Sequence, residues 1–341
     1  MTLRSTLPGR SALPGRSPLL GRRAVIATAA ALPAGIALAA CSSETGDAPS
    51  LGGGGDGASD GGGEGASAYD AAIAAGPVAD EAAVSGSAWA TAIKEKDSFV
   101  RGGTTANQVF SIIDPATNRV TGFDAGITQL LARYILGEGG EEKVEYIDTT
   151  VETRETMVQN DTVDAVIATY SITPERLEKI NFAGPYYLSG TSIQVRTEDA
   201  ESITGPEDLE GKNLVTQSNS TGIQAIEDNV PNPGKVETLA DNESCVAALK
   251  QGRVDAYVLD QGVLLGNSKA DPDVTVVGEP FTEDPYGIGL NKDKADALEF
   301  VNAFLQTIID DGTWTKLYDA TIGQVIDGEA PTPPTIGELP A

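Results

Sequence analysis

Two short apolar runs constrain the fold of this chain more than any other feature. VDAVIA (163–168) and VDAYVL (254–259) have the length and branched content of buried strands, and each delivers polar groups at its C-terminal end. Further strand-like runs at 144–147, 213–215, 274–277 and 286–290 alternate with helical patterns. Residues 126–136 (GITQLLARYIL), for example, place Ile127, Leu130, Leu131 and Tyr134 at helical spacing. Thr149 and Glu152 fit a capping box that opens a helix running to Val158. Strands alternating with helices predict an α/β fold with parallel sheets, arranged as two series, the second from about residue 205 to 277. Ligands bind open α/β sheets at the C-terminal ends of the strands, so the residues after both runs are site candidates.

The segment after the first run reads ATYSITPERLEKINFAGPYY (168–187). Thr173 suits an N-cap and Pro174 the first helical position, so a short helix is expected to start there. Arg176 falls in its first turn, where the helix dipole disfavours a cation. It is either a surface arginine or a bidentate clamp on a carboxylate.

The N-terminus reads as an address. Arg4, Arg10, Arg16, Arg22 and Arg23 precede an alanine-rich apolar run over 24–40, with no acidic residue before Glu44. The run contains Pro33 and Gly35 and ends Leu38-Ala39-Ala40-Cys41, which resembles a bacterial lipobox. Residues 1–40 are therefore expected to be a lipoprotein signal peptide, with Cys41 the lipidated first residue of the mature chain. Arg22-Arg23 leaves Sec and Tat export both open. Residues 41–68, rich in Gly, Ser, Asp and Ala, predict a flexible tether with a typical span of roughly 30 Å.

Charge and composition exclude several functions. The net charge is −27, and the five arginines before Cys41 mean that the remainder is more acidic still, which argues against nucleic acid as a partner. The chain has no His, which removes Ser-His-Asp and Cys-His catalysis and every His metal site. It has two Cys, so with Cys41 lipidated Cys245 has no disulfide partner. No phosphate-binding Walker motif is present, and no cofactor or metal is expected.

From about Trp89 to Tyr318 the chain resembles the family 3 extracellular solute-binding proteins, which serve ABC importers of polar amino acids. GFDAGITQLLA looks like the family signature, with Gly122, Phe123 and Asp124 in place and Gly126 where an acidic residue is usual. The block TRETMVQNDTVDAVIATYSITPERLEKINFAGPYY is similar to that of the glutamate-binding lipoproteins of actinobacterial uptake systems. DLEGKNLVTQSNSTG, VAALKQGRVDAYVLD and YGIGLNKD then follow in the family's order. The resemblance implies a two-lobed periplasmic-binding-protein type II fold, with two crossing strands joining the lobes and the ligand in the cleft. Lobe one would comprise 69–193 and 286–327, lobe two 194–285, and 328–341 a loose tail. The chain would cross between lobes near Gln194-Val195 and return at Tyr286.

The same resemblance assigns the site. Arg176 would clamp the α-carboxylate, with help from Ser171 and from the helix start at Ser220 and Thr221. Asp260 would take the ammonium, together with the Thr169 carbonyl. Arg154 would either meet a ligand γ-carboxylate or be tied to Glu155 or Asp124. The stretch 104–108 carries no charge and no ring where relatives often place one, and Phe110 is the available substitute. Glutamate is the expected ligand, with glutamine, asparagine or another polar amino acid open. The implied protein is a monomeric, lipid-anchored, non-enzymatic component on the extracellular face of the cell membrane, with permease subunits as partners. The competing readings are a ligand sensor for a membrane receptor and a dehydratase-like enzyme.

Overall fold

The computed structural model describes residues 61–338, so the signal segment, Cys41 and most of the tether lie outside the described residues. Two five-stranded sheets organise the chain. The first runs Val144–Ile147, Phe99–Gly102, Ala165–Val166, Asp284–Leu290, Asn181–Ser189. The second runs Val236–Leu239, Leu214–Gln217, Ala256–Asp260, Thr191–Arg196, Val274–Val277. In both, three parallel strands are followed by an antiparallel one. The strands ending at the two polar segments occupy the same third place in each order. A small antiparallel sheet of Ala106–Asn107, Ser111–Asp114 and Arg119–Thr121 joins the first lobe.

Period-two alternation fills both faces of the second sheet. Leu214 and Val258 point into one core with Ile193 and Ile226, while Val215, Tyr257 and Leu259 point into the other with Cys245 and Leu264. Apolar residues on both sides of the pleat therefore read as an unbroken run. In lobe one, Trp89, Phe99, Phe123, Phe304 and Trp314 fill one face, and Val158, Tyr170, Ile180 and Phe182 the other. Gly126 stands within this packing: a Cβ there would collide with the buried side chain of Leu317, so an acidic residue has no room.

Two strands carry the chain between lobes. Asn181–Ser189 belongs to the first sheet, and Thr191–Arg196, one residue later, to the second. The crossing is thus at Gly190, four residues before the expected Gln194-Val195. Thr191 already pairs with Asp260, so the strand is committed to lobe two from its first residue. A Cβ at Gly190 would collide with the Thr282 carbonyl on the returning segment. The return strand starts at Asp284 rather than Tyr286, because Asp284 pairs with Ser189.

Both ends also differ from expectation. A helix, Gly61–Ala74, begins inside the expected tether, and Tyr69 and Ile73 on it are buried in the lobe-one core. The expected loose tail docks: Ile336 packs on the same core and the Gly337 N–H donates to the Gly184 carbonyl at 2.8 Å. Turn residues and prolines carry little periodicity, so this docking left no sequence signal. The helix expected from Thr149 starts at Arg154; Thr150 and Thr153 instead exchange backbone-to-hydroxyl hydrogen bonds ahead of it. Among the described residues no helix is long and apolar enough to cross a membrane.

Candidate functional site

A cleft of about 560 Å³ lies where the C-terminal ends of the central strands of both sheets meet. Arg154, Thr169, Ser171 and Arg176 line it from lobe one, and Ser220, Thr221 and Asp260 from lobe two. All seven residues expected at a site thus fall in one cavity. Phe110 lines it too, buried in an aromatic cluster with Phe123, Tyr187 and Tyr286 near the crossing strands.

The segment 168–176 is built as its local chemistry dictates. Thr173 caps the helix Pro174–Leu177, its hydroxyl accepting from the Arg176 N–H at 3.3 Å. Thr169 takes a φ of +43°, an unfavourable region for a β-branched residue, costing about 1–3 kcal/mol. The Asp124 carboxylate holds it there, accepting the Thr169 N–H at 2.7 Å. Asp124 also accepts the Tyr186 hydroxyl at 2.7 Å. Burial raises the Asp124 carboxyl, and the charge of Arg101 pulls it back.

The arginines differ in how they are satisfied. Arg176 donates to the Ser171 carbonyl at 2.7 Å and across the cleft to the Asn219 carbonyl at 3.2 Å. Arg154 is 6% exposed and donates to the Ala168 carbonyl at 3.1 Å, and its Nε has no partner. Neither Glu155 nor Asp124 forms an ion pair with it among the described residues. Burial, then the nearby charge of Arg176, lowers the Arg154 guanidinium to about 9. Arg101, which sequence reasoning missed, is fully buried and donates to the carbonyls of Thr104 and Ile167 and to Ser111 Oγ. It sits behind the site and anchors the strand end. A charge inside the apolar strand Phe99–Gly102 was the available signal.

On lobe two, Thr221 is the N-cap of the helix Gly222–Asn229, and its side chain caps nothing. Ser220 Oγ is engaged, donating to the Gln217 carbonyl at 2.6 Å. Asp260 ends its strand and caps the helix Gln261–Ala270, accepting the Val263 N–H at 3.3 Å. Its Oδ1 also accepts the Tyr286 hydroxyl, while Oδ2 is buried without a partner. Burial raises this carboxyl to about 7, against the hydroxyl of Tyr286. Tyr286 lies on the returning strand, a partner that sequence reasoning also missed. The cleft therefore presents a buried unpartnered acceptor at one place and two guanidinium groups at another.

The lobes touch across the cleft. Asn107 Nδ2 donates to the Gly262 carbonyl at 3.1 Å, while Asn107 Oδ1 is pinned by the N–H groups of Val109 and Phe110. A Cβ at Gly266 would lie 2.7 Å from the Asn107 side chain, so this glycine makes the seat. Gly266→Ala should displace Asn107 and disfavour closure, weakening ligand binding about tenfold. Calorimetry together with a larger radius of gyration of the liganded variant in X-ray scattering would check this.

Among the described residues no group of side chains could hold a metal ion. Cys245 is buried beneath the second sheet, its thiol pushed up to about 12 by burial, which leaves it unreactive.

The family model for bacterial extracellular solute-binding proteins, family 3, matches residues 100–324. Glutamate-binding protein GluB of Corynebacterium efficiens is 36% identical over 231 residues, 65% of this chain and 77% of that one. The ABC transporter glutamine-binding protein GlnH of Bacillus subtilis is 32% identical over 228 residues, 67% and 82% of the two chains. Among solved structures, an ancestral amino acid-binding protein described as a precursor of cyclohexadienyl dehydratase superposes with a TM-score of 0.60 at 30% identity. It covers 67% of this chain and 97% of that one.

Proposed function

Because this chain belongs to the bacterial extracellular solute-binding proteins of family 3, we propose that it captures an acidic amino acid, L-glutamate in the first place, for an ABC importer. Arg154 carries this reading. A buried guanidinium without a carboxylate partner among the described residues is costly, and a ligand γ-carboxylate in the cleft would compensate it. Arg176 takes the α-carboxylate and Asp260 Oδ2 the ammonium, with the start of the helix Gly222–Asn229 closing on the carboxylate from lobe two. Contacts from both lobes to one ligand favour the closed state, because only that state completes them. GluB, named for glutamate, supports the ligand.

One observation suits L-glutamine equally well. Thr149 Oγ1 is buried in the cleft with no partner, and a hydroxyl can accept from an amide NH₂ as readily as it donates to a carboxylate. Calorimetry of the purified protein against glutamate, glutamine, aspartate and asparagine separates the two. Tighter binding of both acids than of their amides supports the first reading, and the reverse order rejects it.

In this reading the protein performs no chemistry. The transport energy belongs to a separate ATPase, and Cys41 carries the lipid that keeps the domain near its permease. Mass spectrometry of the mature protein, with a Cys41→Ala variant released into the medium, tests the anchor. Turnover of a prephenate-like acid by the purified protein would instead support the dehydratase alternative.

A further inference from the structure

The left-handed Thr169 turns the chain between Ala168 and Tyr170. Thr169 and Ser171 line the cleft, and Tyr170 between them packs behind it and is 1% exposed. Its ring packs edge-to-face on Phe182 at 4.8 Å, within the apolar cluster of Val158, Val163 and Ile180, so its plane is held. The Arg154 guanidinium carbon lies over this ring at 3.7 Å from the centroid, and that of Arg176 at 5.1 Å. Both cleft arginines thus use one aromatic ring as a support.

This arrangement solves a specific difficulty. Two cations held close in a cavity repel, and each long side chain has several rotamers to lose before it can meet a ligand. The ring quadrupole attracts both cations, more strongly where they are desolvated, and restricts the planes of both guanidinium groups. Preorganised planar donors lose less on binding a carboxylate than mobile ones.

We propose that Tyr170 is a positioning residue that sets the preference for acidic over neutral amino acids by holding Arg154 and Arg176 on one ring, so that two carboxylates of one ligand are met together. This rests on the acidic-ligand reading above. Tyr170 does not touch the ligand; it acts through the two arginines. Arg154 is the nearer to the ring, so loss of the ring falls hardest on the side-chain carboxylate and less on the α-carboxylate common to all amino acids.

The test compares dissociation constants for L-glutamate and L-glutamine in the wild type, Tyr170→Phe and Tyr170→Leu. The ratio should hold within about threefold in Tyr170→Phe, which keeps the ring, and fall about tenfold in Tyr170→Leu. An unchanged ratio in Tyr170→Leu overturns the proposal. A second measurement leaves Tyr170 in place. In the unliganded wild type, the Arg154 and Arg176 guanidinium protons should show upfield ring-current shifts by NMR, assigned with Arg154→Lys and Arg176→Lys. Ordinary shifts for both arginines overturn the shared support. A wild type that binds glutamate no better than glutamine fails before any substitution is made. That outcome overturns the acidic-ligand reading together with the selectivity role, and the two kinds of failure are thereby told apart.

Discussion

Arg176→Ala is expected to weaken amino-acid binding by about 2–5 kcal/mol, a factor of roughly thirty to several thousand. The guanidinium lines the cleft, and on the proposed function its removal leaves a ligand α-carboxylate enclosed without its counter-charge. The variant also loses the hydrogen bond to the Asn219 carbonyl, one of the links between the lobes, so closure suffers with affinity. Arg176→Lys should recover only part of the loss, because a point charge cannot reproduce the planar fork. Calorimetry with the best ligand checks both, and an alanine variant of wild-type affinity would remove Arg176 from the site. The fold should tolerate the change, since Arg176 sits on a four-residue helix at the cleft and not in a core.

Asp260→Asn should be comparably damaging to binding, and it carries a second signature in pH. The Asp260 carboxyl is raised from 3.8 to about 7 by burial, a shift that the Tyr286 hydroxyl opposes and the charge of Asp284 reinforces. A ligand ammonium needs the ionised form. Wild-type affinity should therefore fall about tenfold per pH unit below 7 and level off above it. The stability of the unliganded protein should run the other way. The folded state holds the Asp260 proton more tightly than the unfolded state does. The stabilisation from this group is therefore fully present below pH 3.8 and is lost as pH rises through about 7. The loss amounts to about 4 kcal/mol if nothing else compensates. Asn cannot titrate, so Asp260→Asn should gain stability relative to the wild type across that window, while the other carboxylates, common to both proteins, cancel in the comparison. Denaturant titrations of both proteins at pH 4, 6 and 8 would show it. Parallel stabilities at all three values would mean that Asp260 is ionised without penalty.

Much of the site was legible because its residues cluster in sequence. Thr169, Ser171, Thr173 and Arg176 fall within one strand-turn-helix segment, whose geometry follows from an N-cap, a proline and a short apolar run. Asp260 was legible for the same reason, as the first polar residue after a buried strand. The supports behind them were not. Asp124 reaches Thr169 and Tyr186, Tyr286 reaches Asp260, and Asn107 reaches Gly262, each across tens to more than a hundred residues. No periodicity or turn signal encodes which of many tyrosines or asparagines will meet a given carboxylate or carbonyl. Arg101 was passed over because a cation inside a strand reads as an edge until the carbonyls that absorb its donors are in place.

The sequence by itself determined the alternation of strands and helices, the family, the absence of histidine chemistry, and three of the charged groups that line the cleft, Arg154, Arg176 and Asp260. Those properties are local, set by residue type and by spacing along a few turns or strands. Tertiary structure alone decided where the chain crosses between the lobes, that both ends of the domain dock on the first core, and that one ring supports both cleft arginines. It also decided the protonation of Asp260, since a carboxylate's pKa depends on how much water and which charges surround it, and those are fixed only when two lobes and the returning strand close around the same few ångströms.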